Sequence, residues 1–407
     1  MSSSREDQAP SSTPGGTNAS PKVSDAPGGP QDNQGQFVPL YEPWLGREEA
    51  RLVMQALRSG WISSAGPLVS EFEGRFASMC GVRHAVAVSS GTAALHVTLH
   101  ALGIGPGDEV LVPTLTFVAT ANAVRYTGAT PVFVDSEWET WGMDPEDAER
   151  KITERTRAII PVHLYGHPAR MPAILELAER RGLLVVEDAS EAHFAAVNGR
   201  YVGALGAAGV FSFYGNKSVT TGEGGMVVTD DSALADRVRY LIAQAMSPQR
   251  RYWHGELGFN YRMTNLQAAV GLAQLGRIEE ILRRKRQIAM WYCQALSRAP
   301  ELHLVMPPEL PGYRNIYWLF SFLMMPEIGT SARVAQRLAS RGVDTRPFFV
   351  PLHSLPPYVG DWGPFPVASS LASRGLSLPS GPKLSRATVT HVAQEVLDAL
   401  LAEVKNS

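Results

Sequence analysis

Cysteine is scarce in this chain. Cys80 and Cys293 stand alone and far apart, which gives neither a disulfide framework nor zinc-ligand spacing and suits a reducing cytoplasm. The ten histidines are scattered and form no HExxH-like pair, so no metal site is expected. Charge of one sign is lacking too. With 37 basic side chains against 39 acidic ones, for a net −2, there is no global attraction for nucleic acid or an anionic membrane. No apolar run reaches the roughly 18 residues of a membrane span, and the first residues lack the apolar core of a secretory leader. A soluble, cytoplasmic protein is expected. Large apolar side chains are nearly absent from residues 1–36, which are rich in Ser, Pro, Gly, Asn, Gln and Asp. Such a segment cannot offset its ordering entropy, so a disordered N-terminal tail is expected there.

What remains is long enough for more than one core, since 407 residues exceed what a single domain usually supports. Helical spacing runs over Arg47–Ser59 and Leu68–Cys80, with a loop from Gly60 to Pro67 between them that carries Trp61. Short apolar strands then alternate with helical patterns: 85–90, 109–113, 130–135, 158–166, 183–188, 210–213 and 226–229. Continuously apolar strands separated by helices predict an α/β fold with a mainly parallel sheet covered on both faces. Sites in such sheets form at the carboxyl ends of the strands.

The segment Ala207–Asp230 reads as a strand, a polar turn holding Lys217, a Gly-rich bend and a second strand. Burial between strands disfavours an ammonium and makes a lysine a usable nucleophile and base near neutral pH, which is what a Schiff-base lysine needs. Three other strand ends carry polar or flat groups. Ser89-Ser90-Gly91-Thr92 opens a helix and offers free N–H groups and hydroxyls to a phosphate, although Ser and Thr there are more often simple caps. Phe117 follows the 109–113 strand and is either a stacking face or a core residue. Glu187-Asp188 places a carboxylate at the sheet edge, as a helix cap or as a ligand group. Together these pieces ask for one molecule with a phosphate, a ring nitrogen for a carboxylate and an aldehyde for a lysine. Pyridoxal 5′-phosphate has all three.

On these residues, and on VSSGTAALHVTLHALGIGPGDEVLVPTLTFVATANAV, FSFYGNKSVTTGEGGMVVTDD, GFNYRMTNLQAAVGLAQL and DTRPFF, the chain resembles the DegT/DnrJ/EryC1/StrS sugar aminotransferases, with its lysine segment similar to their perosamine synthase branch. The likeness runs from about Pro39 to Pro382. It implies the type I aminotransferase fold: a large domain over 37–280 with a seven-stranded, mostly parallel sheet, then a connecting helix within 264–298 and a smaller C-terminal α+β domain over 281–407. It also implies roles for individual residues. Lys217 carries the cofactor, Asp188 pairs with the pyridine nitrogen, Phe117 stacks on the ring, and Glu191 approaches the ring hydroxyl. Ser90, Gly91, Thr92 and Ser212 hold the phosphate, and Asn260 reaches the cofactor of a neighbouring subunit, so that a homodimer shares its active sites. An amino acid, L-glutamate by family habit, gives its amine to form pyridoxamine 5′-phosphate, which passes it to a ketone on a nucleotide-linked sugar. Arg262 and Arg346 are candidates for the diphosphate, because guanidinium binds phosphate oxygens in a fork, with a structural salt bridge as the rival. Trp61, Ser63 and His353 are candidates for the sugar pocket. The stretch Leu302–Gly329 shows little chemistry.

The chain departs from the family pattern at His167 and at His193-Phe194; Phe194 either narrows the sugar pocket or packs behind it. Relatives of the same fold include sugar dehydratases, which carry histidine at the lysine position, and enzymes that aminate cyclitols. A ligand-binding regulator without catalysis would tolerate loss of Lys217 or Asp188. Both are present.

Overall fold

The computed structural model describes residues 37–405, and the tail expected over 1–36 lies outside the described residues. Seven strands form the large sheet: β1 (His84–Val88), β2 (Glu109–Pro113), β3 (Thr130–Val134), β4 (Thr156–Ile159), β5 (Leu184–Asp188), β6 (Ala208–Ser212) and β7 (Gly225–Thr229). Their order across the sheet is β1-β7-β6-β5-β4-β2-β3. All neighbours run parallel except at β7, which is antiparallel to both β1 and β6. Strands β2 and β7 are buried along their whole length, as a sheet with both faces covered requires. Helix Gly91–Ala101 packs on β6 and β7, while helices Arg47–Ser59 and Pro67–Cys80 pack on helix Asn265–Leu275. Among the described residues no helix is long and apolar enough to cross a membrane.

Two elements differ from the sequence reading. The strand expected over 158–166 pairs with β5 at Ala158 and Ile159 and after that through a single bridge between Val162 and Asp188, and Leu164–Gly166 is a short 3-10 turn with Tyr165 at φ 52°. Pro161 has no N–H to continue the ladder, and the Glu191 carboxylate takes the Tyr165 N–H instead. The helical pattern over 264–298 is two helices, Asn265–Leu275 and Ile278–Leu296. The break at Gly276-Arg277 is fixed by Glu49, whose carboxylate accepts Gln274 Nε2 at 2.6 Å and Arg277 Nη2 at 2.9 Å.

Buried apolar residues form two cores. One fills both sides of the large sheet. The other lies among helices Ile278–Leu296, Ser331–Ser340 and Arg386–Val404 and an antiparallel sheet ordered Phe320–Leu323, Gly375–Leu378, Arg346–Pro347. Helix Ile278–Leu296 serves both, giving Ile281 and Leu282 to the first core and Ile288 and Tyr292 to the second. Trp318 and Phe348, late in the chain, belong to the sheet's core.

Candidate active site

The carboxyl ends of β1, β2, β5 and β6 converge on a cavity of about 390 Å³, a size suited to a small cofactor. Eight residues singled out from the sequence line it: Ser90, Gly91, Thr92, Phe117, Asp188, Glu191, Ser212 and Lys217.

Lys217 sits in the loop between β6 and β7. That loop is closed on itself by Phe213 N–H to Gly224 O (2.8 Å) and Thr221 N–H to Phe213 O (2.9 Å), and its own turn by Lys217 N–H to Tyr214 O (2.9 Å). The side chain therefore turns inward. Its Nζ lies 3.7 Å from Glu191 Oε1 and 3.9 Å from the centre of the Trp318 ring. Burial pulls the amine below the ordinary lysine value, against the opposing pull of Glu191 and Asp188. Burial likewise pushes Glu191 up to about 7, although Lys217 and the Tyr165 N–H favour its charged form. The amine and the carboxyl are thus both moved toward neutrality, where proton exchange is easiest.

Two carboxylates stand side by side at the end of β5 and point opposite ways. Glu187 is wholly buried away from the cavity, where it accepts N–H bonds from Gly203, Leu205 and Gly206 at 2.7–2.8 Å and meets His163 Nε2 at 3.1 Å. It anchors the sheet. Asp188 faces the cavity, with Oδ2 accepting Thr120 Oγ1–H at 2.8 Å and Oδ1 accepting Ser190 N–H at 3.1 Å. The chain beyond it enters a turn and not a helix, so Asp188 caps nothing.

The opposite wall is built for an anion. Ser90 caps helix Gly91–Ala101 by accepting Ala93 N–H at 3.1 Å, which leaves the first-turn N–H groups of Gly91 and Thr92 without an acceptor inside the helix. The hydroxyls of Thr92 and Ser212 border the same end of the cavity. A Cβ at position 91 would come within 2.8 Å of Ser212 Cβ, so only glycine lets the helix end approach β6 this closely. Phe117 is 56% exposed and borders the cavity, which removes the core explanation for it. An N-terminal helix end, a fixed carboxylate, a flat aromatic face and a buried amine around one cavity fit pyridoxal phosphate.

Other residues named from sequence lie elsewhere in the single chain. Asn260 and Arg262 are exposed, paired through their backbones with Ala243 and Val88. Trp61 and Ser63 are exposed on a loop whose carbonyls are held by Asn265, at 2.7 and 2.9 Å. Arg346 is exposed and pairs with Asp344 and the Thr345 carbonyl. His353 binds Thr114 Oγ1 through Nδ1 at 2.7 Å and stacks on Phe365. Phe194 is buried between Phe76 and Tyr201; it packs behind the site and does not border it.

The structure corrects the reading of Leu302–Gly329 as chemically bare, because Trp318 from that stretch forms a wall of the cavity. Its indole N–H donates to the Asn216 carbonyl at 2.8 Å. Tyr165 stacks parallel to both Trp318 and Phe349, and Phe349 faces Phe117 with ring centres 5.9 Å apart. Phe349 lies three residues after Arg346 in the DTRPFF motif and lines the cavity, a member of the motif that the sequence reading does not single out. Thr120 lies one helical turn beyond Phe117, a spacing that offered a signal. Trp318 offered none.

The profile of the DegT/DnrJ/EryC1/StrS aminotransferase family matches residues 43–397. A GDP-perosamine synthase of Escherichia coli O157:H7 is 45% identical over 361 residues, covering 89% of this chain and 98% of its own. A GDP-perosamine synthase of Caulobacter vibrioides is 45% identical over 357 residues, covering 87% and 96%. Among solved structures, the aminotransferase TlmJ from Streptoalloteichus hindustanus superposes with a TM-score of 0.85 at 36% identity, over 90% of this chain and 99% of that one.

Proposed function

The chain belongs to the DegT/DnrJ/EryC1/StrS aminotransferase family, and from that premise we propose that it moves the amino group of L-glutamate to the keto carbon of a GDP-linked 4-keto-6-deoxy sugar. It is a pyridoxal-phosphate-dependent aminotransferase making nucleotide-linked amino sugars. The likeness to GDP-perosamine synthases supports GDP as the nucleotide. The observation that carries the reading is the buried Lys217 amine facing one cavity with Asp188 and the Gly91 helix end.

When bound, the cofactor supplies an electron sink and, in its pyridoxamine form, a carrier for the amine. The chain's own residues do the rest. Asp188, fixed by Thr120 and Ser190, holds a proton on the ring nitrogen. Gly91, Thr92 and Ser212 bind the phosphate with Ser90 shaping the turn, and Phe117 gives the ring a face. Glu191 takes the side of the ring hydroxyl. Lys217 Nζ would hold the cofactor and, as a free amine, would take the proton from the donor carbon in the first half of the transfer and deliver one to the former keto carbon of the sugar in the second. Asn260 is assigned to the cofactor of a second subunit in a homodimer, and Arg262, Arg346, Trp61, Ser63 and His353 to the nucleotide sugar. The large and small domains of this reading divide near residue 280, and the compartment is the cytoplasm.

Purified protein given pyridoxal phosphate should turn yellow, lose the colour with glutamate and regain it with the accepted keto sugar from a panel linked to GDP, dTDP or UDP. Lys217→Ala should never take on that absorbance. A spectrum indifferent to glutamate and every other amino donor would sink the transfer, and turnover with dTDP or UDP sugars alone would sink the GDP assignment.

A further inference from the structure

A second lysine is buried close behind the cavity, and no step above uses it. Lys285, on helix Ile278–Leu296, is 1% exposed. Its Nζ donates to the carbonyls of Trp318 at 2.9 Å and Ser380 at 3.1 Å and lies 4.7 Å from the centre of the Tyr41 ring. Two carbonyls and one π face match the three N–H groups of an ammonium. An apolar side chain of the same length would fill this space without the cost of desolvating a charge. Burial pulls Lys285 down to about 7, a measure of that cost.

The partners of Lys285 lead back to Lys217 by two routes. Tyr41 donates its hydroxyl to the Lys217 carbonyl at 3.0 Å. Trp318 donates its indole N–H to the Asn216 carbonyl at 2.8 Å and presents its ring to Lys217 Nζ at 3.9 Å. The contacts close a ring: Lys285, Trp318, Asn216, Lys217, Tyr41 and back to Lys285.

We infer that Lys285 is a positioning residue for Lys217, holding Tyr41 and Trp318 so that the reactive lysine is gripped at both neighbouring carbonyls and roofed by the indole. The inference rests on reading Lys217 as the reactive amine. Removing the ammonium frees Trp318, admits water to Lys217 Nζ and relaxes the burial that lowers its proton affinity.

The test uses cofactor-free full-length protein acetylated with acetic anhydride across a pH series, with Lys217 modification read by mass spectrometry. Lys285→Met should raise the midpoint for Lys217 by about half a pH unit or more, a roughly threefold change in proton affinity. Tyr41→Phe, which keeps the ring face but loses the hydroxyl, should shift it the same way by less. Leu338→Ala, in the second core, should lower the thermal midpoint yet leave Lys217 unchanged. Midpoints equal to or below wild type in both Lys285→Met and Tyr41→Phe overturn the inference, as does an equal shift in Leu338→Ala; should Lys285→Met not fold, Tyr41→Phe decides. Borohydride reduction of wild type with pyridoxal phosphate is the separate check on Lys217 itself: failure to mark it removes the functional reading, whereas marking with unmoved midpoints removes only the role of Lys285.

Discussion

At the scale of single residues, the site depends on which member of a pair faces the cavity. Glu187 and Asp188 are adjacent in β5, and the two-residue period of a strand sends them to opposite faces. Glu191 and Lys217 are displaced in opposite senses. For Glu191, raised by burial from 4.5 to about 7, the folded state holds its proton more tightly between those values. The stability this contributes is full below about 4.5 and is lost as pH rises through 7. Lys217 is lowered from 10.5, so the folded state gains relative stability as pH rises toward that value. Urea unfolding of the cofactor-free protein should therefore show Glu191→Gln gaining on wild type by ~1–3 kcal/mol between pH 5 and 7. Parallel pH dependences in the two proteins would contradict the assignment.

Among the elements, helix Gly91–Ala101 starts at the cavity, and the loop from Gly60 to Gly66 carries Trp61 and Ser63, the residues proposed for the nucleotide sugar. Gly91→Ala must push the helix end from β6, because the new Cβ would meet Ser212 Cβ at 2.8 Å. Equilibrium dialysis should find pyridoxal phosphate bound at least about tenfold more weakly, the equivalent of ~1.4 kcal/mol. Wild-type affinity in that variant would remove the helix end from the phosphate site. The Gly60–Gly66 loop is pinned by buried Asn265, which accepts Leu68 N–H at 2.9 Å and donates to Trp61 O at 2.7 Å. Asn265→Ala leaves those groups unpaired and should cost ~1–3 kcal/mol in thermal or urea unfolding, while freeing the loop that carries Trp61. A loss smaller than a few tenths would mean that solvent replaces both bonds.

At the scale of the whole molecule, the exposed position of Asn260 in one chain makes the proposed homodimer a testable matter. Lys217→Ala and Asn260→Ala should each be inactive or nearly so as pure proteins. Refolded together in equal amounts, they should form hybrids with one intact site each and recover about a quarter of wild-type activity. No recovery, despite hybrids seen by mass spectrometry, would place Asn260 in its own chain's site, and full activity of Asn260→Ala alone would place it in none. The two cores joined by helix Ile278–Leu296 also explain why residues far along the chain reach the cavity: Trp318 and Phe349 arrive from beyond the connecting helix.

The alternation of apolar strands and helices was legible in the chain, as were Lys217 in its turn, the Gly91 helix start, Phe117 and Asp188. Each of these depends on interactions local to a strand and the loop that follows it. The shortened strand at Pro161 and the break at Gly276-Arg277 were not read, because capture of Tyr165 N–H by Glu191 and of Arg277 by Glu49 joins residues remote in sequence. The amino acids alone determined which side chains gather at the carboxyl ends of the parallel strands, since strand direction and periodicity are local properties. Only the tertiary structure decided that Trp318 and Phe349 wall the cavity with Lys217 and that Lys285 sits against Trp318 and Tyr41 behind it, because those placements depend on how a second core packs against the first.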